Sequence, residues 1–433
     1  MNHRQFSPGA VLADYKPQLN SKFQGNPFIE ALPPSLSEQE LGELLALGPD
    51  FSPEQRNWPD VERIQKAFGL GNIMIPLERH IAVANCVDSM LRNGYVGREP
   101  LTKRDGERMQ ALYEGRSCSQ GFVGAYSDGT AQLSAMLMGL PGMGKTALVK
   151  RIFSYLPQVI YHPESNRYQV TRLHVEMPSD GSSVKGLAHG ILSQLDRIIP
   201  GAQYYQECAL KGRPGADALM RSVARLMHRH AVGFLIADEV QNVVHARKNS
   251  QVVMTELVSA CNELGVPILF IGTNKAAQVF SLDFRQSRRA CGHGIPLWNA
   301  LDRASGEWEE FLEVLWGYQW VRKPVEYSEK MSELMFELSQ GIIDVAIKLF
   351  AAAQVGAIRS GDEMLTPSLL ESVYMQQMHM LHPMLSALKR GSYEDILRYE
   401  DIAAPSMAQV WAASQQSAAW KQKYGAAAGF SGE

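Results

Sequence analysis

Eight consecutive residues, Gly139-Leu140-Pro141-Gly142-Met143-Gly144-Lys145-Thr146, carry the strongest chemical signal in this sequence. They match GxxxxGK[ST], a loop whose glycines let successive backbone N–H groups wrap phosphate oxygens at the start of a helix. The helix N-terminus adds partial positive charge, Lys145 reaches the β- and γ-phosphates, and the Thr146 hydroxyl is a magnesium ligand. Gly139, Pro141, Gly142, Met143, Gly144, Lys145, Thr146 and Ala147 form the expected phosphate-binding set. An apolar strand before the loop and a helix after it supply the context that this chemistry requires.

A second signal is Gly233-Phe234-Leu235-Ile236-Ala237-Asp238-Glu239, an apolar strand closing on two acids. Asp238 is the expected metal-side carboxylate and Glu239 the expected general base that polarises water. A third strand, Ile268 to Ile271, ends at Gly272-Thr273-Asn274, where Asn274 is placed to orient the attacking water. Asn274-Lys275 also begins a guanine-reading NKxD motif, but position 277 is Ala, so the carboxylate that reads guanine is missing. ATP is favoured over GTP, with Mg2+ as its companion ion. Past Asn274 come Arg285, Arg288 and Arg289. They suit an arginine finger, Arg288 and Arg289 foremost, that reaches a neighbouring subunit's γ-phosphate. A solvated basic helix face fits them equally well.

The elements that must position these residues alternate between strand and helix from Ala135 onward. Val159 to Tyr161, Val170 to Val175, Gly233 to Ala237 and Pro267 to Ile271 read as strands. Lys185 to Ile199, Ala216 to Arg229 and Val252 to Leu264 read as helices. Such alternation predicts an α/β fold with a parallel sheet flanked by helices. After Trp308 the strand signals stop, and Leu334, Leu338, Ile342, Val345 and Leu349 predict one long buried helical face.

Upstream, residues 1–60 are rich in Pro and polar residues and read as an extended arm anchored by Phe23, Phe28 and Leu32. A short helix is expected at Ser37 to Ala46 and an amphipathic one from Pro76 to Leu91, followed by a polar stretch to Thr130. The resulting division is an arm (1–60), a helical segment (61–130), the α/β core (131–307), a helical lid (308–400) and a flexible tail rich in Ala, Gln, Ser and Gly (401–433).

Composition bounds the rest. With 433 residues, 45% hydrophobic and 20% charged, the chain supports more than one structural unit. A net charge of -3 and a pI near 6.4 exclude a globally basic nucleic-acid binder, though not a local basic surface. Five scattered cysteines without a CxxC pair fit reduced thiols, and Cys291-Gly292-His293 lacks the second ligand pair of a zinc site. No apolar h-region opens the sequence and no run approaches the ~20 apolar residues of a bilayer span. A soluble, cytoplasmic protein is expected.

The series of glycine loop, Asp-Glu, Asn, Arg and helical lid resembles an AAA+ ATPase. Within that superfamily the sequence resembles the transposition regulators TnsC, TniB and MuB. Three stretches carry the closer likeness: NPFIEALPP from Asn26 to Pro34, IADEVQNV around Asp238, and ELSQGIIDVAIKLF from Glu337 to Phe350. The resemblance implies a homo-oligomer, a ring or helical filament, that assembles with ATP on double-stranded DNA. It implies a link between a target-selecting protein and a transposase, with slow hydrolysis dissolving the assembly. Many AAA+ lids carry an arginine three residues after the lid glycine; here Gly341 is followed at that spacing by Asp344, and Lys348 is the nearest cation. Candidate DNA contacts are Lys185 and the pair Arg247 and Lys248, gripping phosphates without reading bases. The rival functions are an initiator-like or clamp-loader-like ATPase and a nucleotide-gated scaffold with little turnover.

Overall fold

A computed structural model describes residues 9–114, 134–178, 183–246, 250–276 and 298–391. Arg247, Lys248, Arg285, Arg288, Arg289 and the Cys291-to-His293 stretch lie outside the described residues. The chain divides into two compact units, each built from segments distant in sequence.

The first unit comprises Met1–Ser37, Ala82–Met138 and Val149–Leu297. The short strand β1 (Ala10–Leu12) and the one-turn helix α1 (Pro27–Glu30) open it. Asn26 caps α1 by accepting the Phe28 N–H, and Phe28 and Ile29 are buried, so the arm is anchored through this turn. Further on come strand β2 (Ser134–Met138), the hairpin β3 (Val159–His162) and β4 (Arg167–Val170), and β5 (Leu173–Glu176). Helices α7 (Val184–Ile198) and α8 (Ala216–Arg229), strand β6 (Leu235–Asp238), helix α9 (Ser250–Leu264) and strand β7 (Ile268–Gly272) follow.

Strands β2, β7, β6 and β5 form, in that order, an all-parallel sheet. Every residue of β6 and β7 is buried, which is why they read as unbroken apolar runs and not as alternating ones. The buried residues of α7, α8 and α9 form one core with the sheet. In α8 they are Leu219, Met220, Val223, Ala224, Leu226 and Met227, a stripe at helical spacing.

Two expectations need correction in this unit. Val170 to Val175 is not one strand: Thr171 and Arg172 break it, so β4 pairs with β3 in a separate three-stranded sheet while β5 joins the parallel one. The buried Thr171 hydroxyl holds the corner by donating to the Pro157 carbonyl, at 2.6 Å. The polar stretch before Thr130 contains helix α5 (Lys103–Glu114), whose high polarity hid it. Its buried Asp105 is gripped by Arg167 at 2.6 Å and lies 3.1 Å from His228.

The second unit comprises Glu38–Ile81, Gly139–Leu148 and Trp298–Glu433. It contains helices α2 (Glu38–Leu45) and α3 (Asp60–Gly69), and then α10 (Glu307–Trp316), α11 (Glu329–Ser339), α12 (Ile343–Ser360), α13 (Pro367–Gln377) and α14 (His382–Arg390). Two helices bear residues of both units: α4 (Glu78–Tyr95) and α6 (Lys145–Ile152).

Helix α12 is apolar almost all round and buried along its length, the signature of a helix enclosed by others. Helices α3, α11 and α13 pack on it. The single lid face expected from Leu334 to Leu349 is instead two helices, α11 and α12, which meet at 117°. Gln340 and Gly341 turn the chain with φ of 51° and 70°. A Cβ on Gly341 would lie 2.3 Å from the Leu301 carbonyl oxygen, so glycine is required there on both counts. Among the described residues no single helix is long and apolar enough to cross a membrane.

Candidate active site

The glycine loop begins where β2 ends. Gly142 and Gly144 take φ of 76° and 74°, the left-handed region in which a side chain is strained. Gly139 answers a different need, since a Cβ there would fall 1.9 Å from the Trp298 carbonyl oxygen. The loop is held by the second unit's own residues. Trp298 Nε1 donates to the Met143 carbonyl at 2.8 Å, and the Asp344 N–H donates to the Gly142 carbonyl at 3.0 Å. Lys145 is buried, with Nζ donating to the carbonyls of Gly139 (3.0 Å) and Leu140 (2.7 Å). Helix α6 then starts with Lys145, Thr146 and Ala147.

Trp298 is itself braced. The His80 ring lies 5.3 Å from it and the Arg79 guanidinium 5.5 Å from its centroid. Arg79 is fixed by an ion pair with Glu307 and by donation to the Asn299 carbonyl at 2.8 Å. Burial, reinforced by the Arg79 charge, pushes the His80 imidazole down to about 4. Its Nδ1 is therefore available to accept the Leu77 N–H, at 2.8 Å.

In the first unit, the parallel strands bring their carboxyl ends to one edge of the sheet, where α/β folds bind ligands. Register places Met138 beside Gly272 and Glu176 beside Asp238. Asp238 is 3% exposed; its Oδ1 accepts the Glu239 N–H at 2.9 Å, and its Oδ2 lies 3.0 Å from His174 Nε2. Glu239 is exposed and sits at φ 55°, a left-handed conformation that costs a non-glycine residue about 1–3 kcal/mol. The Gln241 amide donates to Glu239 Oε2 and accepts the Thr273 N–H, at 3.1 Å. Asn274 is half-buried and opens the short 3-10 turn Asn274–Ala276. Asp238 at the end of β6 and Thr146 on the glycine loop are each oxygen donors with the hard chemistry that suits magnesium.

Asp238, Glu239 and Asn274 thus share one sheet edge, while the glycine loop is packed by Trp298, Ile342 and Asp344. Lys348 is paired with Asp344 at 2.8 Å. Lys185 stands exposed in the first turn of α7, which Ser183 caps by accepting the Gly186 N–H. Sequence reasoning passed over Gln241, His174 and Trp298. Gln241 carried a usable signal, a polar side chain two positions past the acidic pair. Trp298 carried none, because its partner lies 155 residues away.

Residues 129–280 match the family model described as AAA domain. That region of the chain is similar to AAA domains. Both the glycine loop and the Asp238-Glu239 pair fall inside the matched residues. Among solved structures, the chain is similar to the Walker-type ATPase PABY2304 of Pyrococcus abyssi, with 12% identity, 72% of this chain and 88% of that one covered, and a TM-score of 0.34. It is also similar to Drosophila ORC bound to DNA, with 14% identity, 78% and 79% covered, and a TM-score of 0.31. No curated protein matches the sequence.

Proposed function

We propose that this chain binds and hydrolyses ATP, and that ATP-bound subunits assemble on double-stranded DNA as a regulator of transposition. The observation that carries the hydrolytic part is the shared carboxyl edge of the parallel sheet, with Asp238-Glu239 on β6 and Asn274 after β7. In this reading the loop N–H groups and Lys145 bind the triphosphate. Glu239 takes a proton from water as its oxygen attacks the γ-phosphorus, the bond to the bridging oxygen breaks, and ADP leaves with that oxygen's charge. Asn274 orients the water. Thr146 and Asp238 are the oxygen donors for magnesium, which when bound neutralises phosphate charge. Arg288 or Arg289 serves a neighbouring subunit.

The transposition part rests on the sequence likeness to TnsC, TniB and MuB, together with the AAA domain. The likeness stretches are also places of heavy packing: Phe28 and Ile29 are buried, and Ile342 and Asp344 back onto Gly142. Lys185, Arg247 and Lys248 are the proposed phosphate contacts, and a transposase and a target selector the proposed partners.

Glu239→Gln tests this. It is expected to retain ATP binding, reduce hydrolysis at least a hundredfold, as loss of a general base does, and prolong ATP-dependent assemblies on duplex DNA. Normal turnover in this variant would refute the assignment of the base. ATP-independent DNA binding in Lys145→Ala would refute the gating.

A further inference from the structure

A primary amide offers one acceptor oxygen and one donor NH2, and the partners of Gln241 use both without ambiguity. The Thr273 N–H can only donate, so it takes the amide oxygen, at 3.1 Å. The NH2 is then left to face the Glu239 carboxylate, to which it donates. The strand end is shaped for this bridge. A Cβ on Gly272 would lie 2.9 Å from Gln241 Oε1, too close for the amide to stay where it is. The same turn is tied on its other side by Asn242 Nδ2, which donates to the Met177 carbonyl beyond β5, at 3.1 Å. The segment after β6 is thus strung between the ends of the two strands that flank it.

We propose that Gln241 is a positioning residue that couples the end of β7 to the carboxylate of Glu239. It fixes the orientation of Glu239 and passes any movement of Thr273-Asn274 to the base. The inference rests on Glu239 being that base. Its content is additional: the strand end that bears Asn274 and the residue that activates water are not independent, because one side chain binds both.

Gln241→Met keeps the length and flexibility of the side chain and removes both hydrogen bonds. Its kcat is expected to fall about tenfold, a fraction of what the base itself supplies, with KM for ATP within about twofold. In a Glu239→Gln background the same change is expected to add no further loss, because the bridge then has no base to position. Gln241→Glu keeps an acceptor for Thr273 but sets a carboxylate against a carboxylate, so the fall in kcat is expected to be larger. Gly272→Ala, which crowds the amide oxygen without altering Gln241, is expected to lower kcat in the same direction.

A fall in kcat by the same factor in the Glu239→Gln background would assign Gln241 a merely structural role and overturn the proposal. So would wild-type kcat in Gln241→Met while Glu239→Gln reduces hydrolysis at least about a hundredfold. Full hydrolysis in Glu239→Gln would instead remove the reading of the base on which the inference stands. Should Gln241→Met lack a cooperative thermal transition, Gln241→Ala is measured in its place with the same two readouts.

Discussion

Trp298 Nε1 donates to the carbonyl of Met143, so a side chain far along the sequence completes the backbone hydrogen bonding of the glycine loop. Both residues are fully buried. Trp298→Phe keeps an aromatic ring but orphans that oxygen, at a cost of about 1–3 kcal/mol. The expected result is a lower thermal midpoint and an ATP affinity weakened several-fold, both by calorimetry. An unchanged affinity would show that the loop holds its shape without the indole.

The brace under Trp298 predicts a pH dependence. His80 is held neutral by burial and the Arg79 charge, down to about 4, whereas an unfolded histidine titrates near 6.5. Between those values the unfolded chain takes up a proton that the fold refuses, so stability falls as pH drops from about 6.5 towards 4. His230, pushed to about 4 by burial and Arg229, adds to the same window. Thermal melts at pH 7 and pH 5 are expected to differ by several degrees. His80→Asn, which offers an uncharged acceptor to Leu77, is expected to lessen that difference.

Arg63 has no solvent exposure and is held by Glu363 at 2.7 Å, by Asp60 at 2.7 Å and by the Trp320 carbonyl at 2.9 Å. Burial alone would raise the Glu363 carboxyl, but hydrogen bonds from Arg63 and Arg322 hold it below the usual carboxylate range. Glu363→Ala strands a buried cation and is expected to cost about 3–5 kcal/mol in urea unfolding. Replacing both partners, as Arg63→Met with Glu363→Leu, is expected to recover much of that loss.

The fold class was legible because its signals are local: apolar runs bounded by turn residues, and stripes at helical spacing. Ala216 to Arg229 was readable to the residue for that reason. The breaks were less so. Thr171-Arg172 offers no glycine or proline to mark where one sheet yields to another, and the corner is made by a hydroxyl reaching Pro157. Helix α5 was missed because its buried face depends on Asp105, a residue that patterning assigns to solvent. In the site, the glycine loop announces itself by spacing alone. Its support by Trp298, Ile342 and Asp344 is tertiary and leaves no local trace.

If duplex DNA is gripped through phosphates, removing a cation weakens every sequence about equally. Lys185→Ala is expected to reduce ATP-dependent affinity by a similar factor on unrelated duplexes and to lower the salt slope by about one. Nucleotide affinity should not change. A loss confined to one DNA sequence would place base readout in this chain.

The helical unit draws on three stretches of chain, Glu38–Ile81, Gly139–Leu148 and Trp298–Glu433. That division has a consequence for synthesis. When the glycine loop leaves the ribosome, the residues that clamp it have yet to be made, and Asp344 arrives last of the three. Until then the growing chain carries a phosphate motif in sequence but not in shape. A nascent chain arrested between Trp298 and Ile342 would hold the loop by the indole alone, so the final grip on Gly142 waits for Asp344.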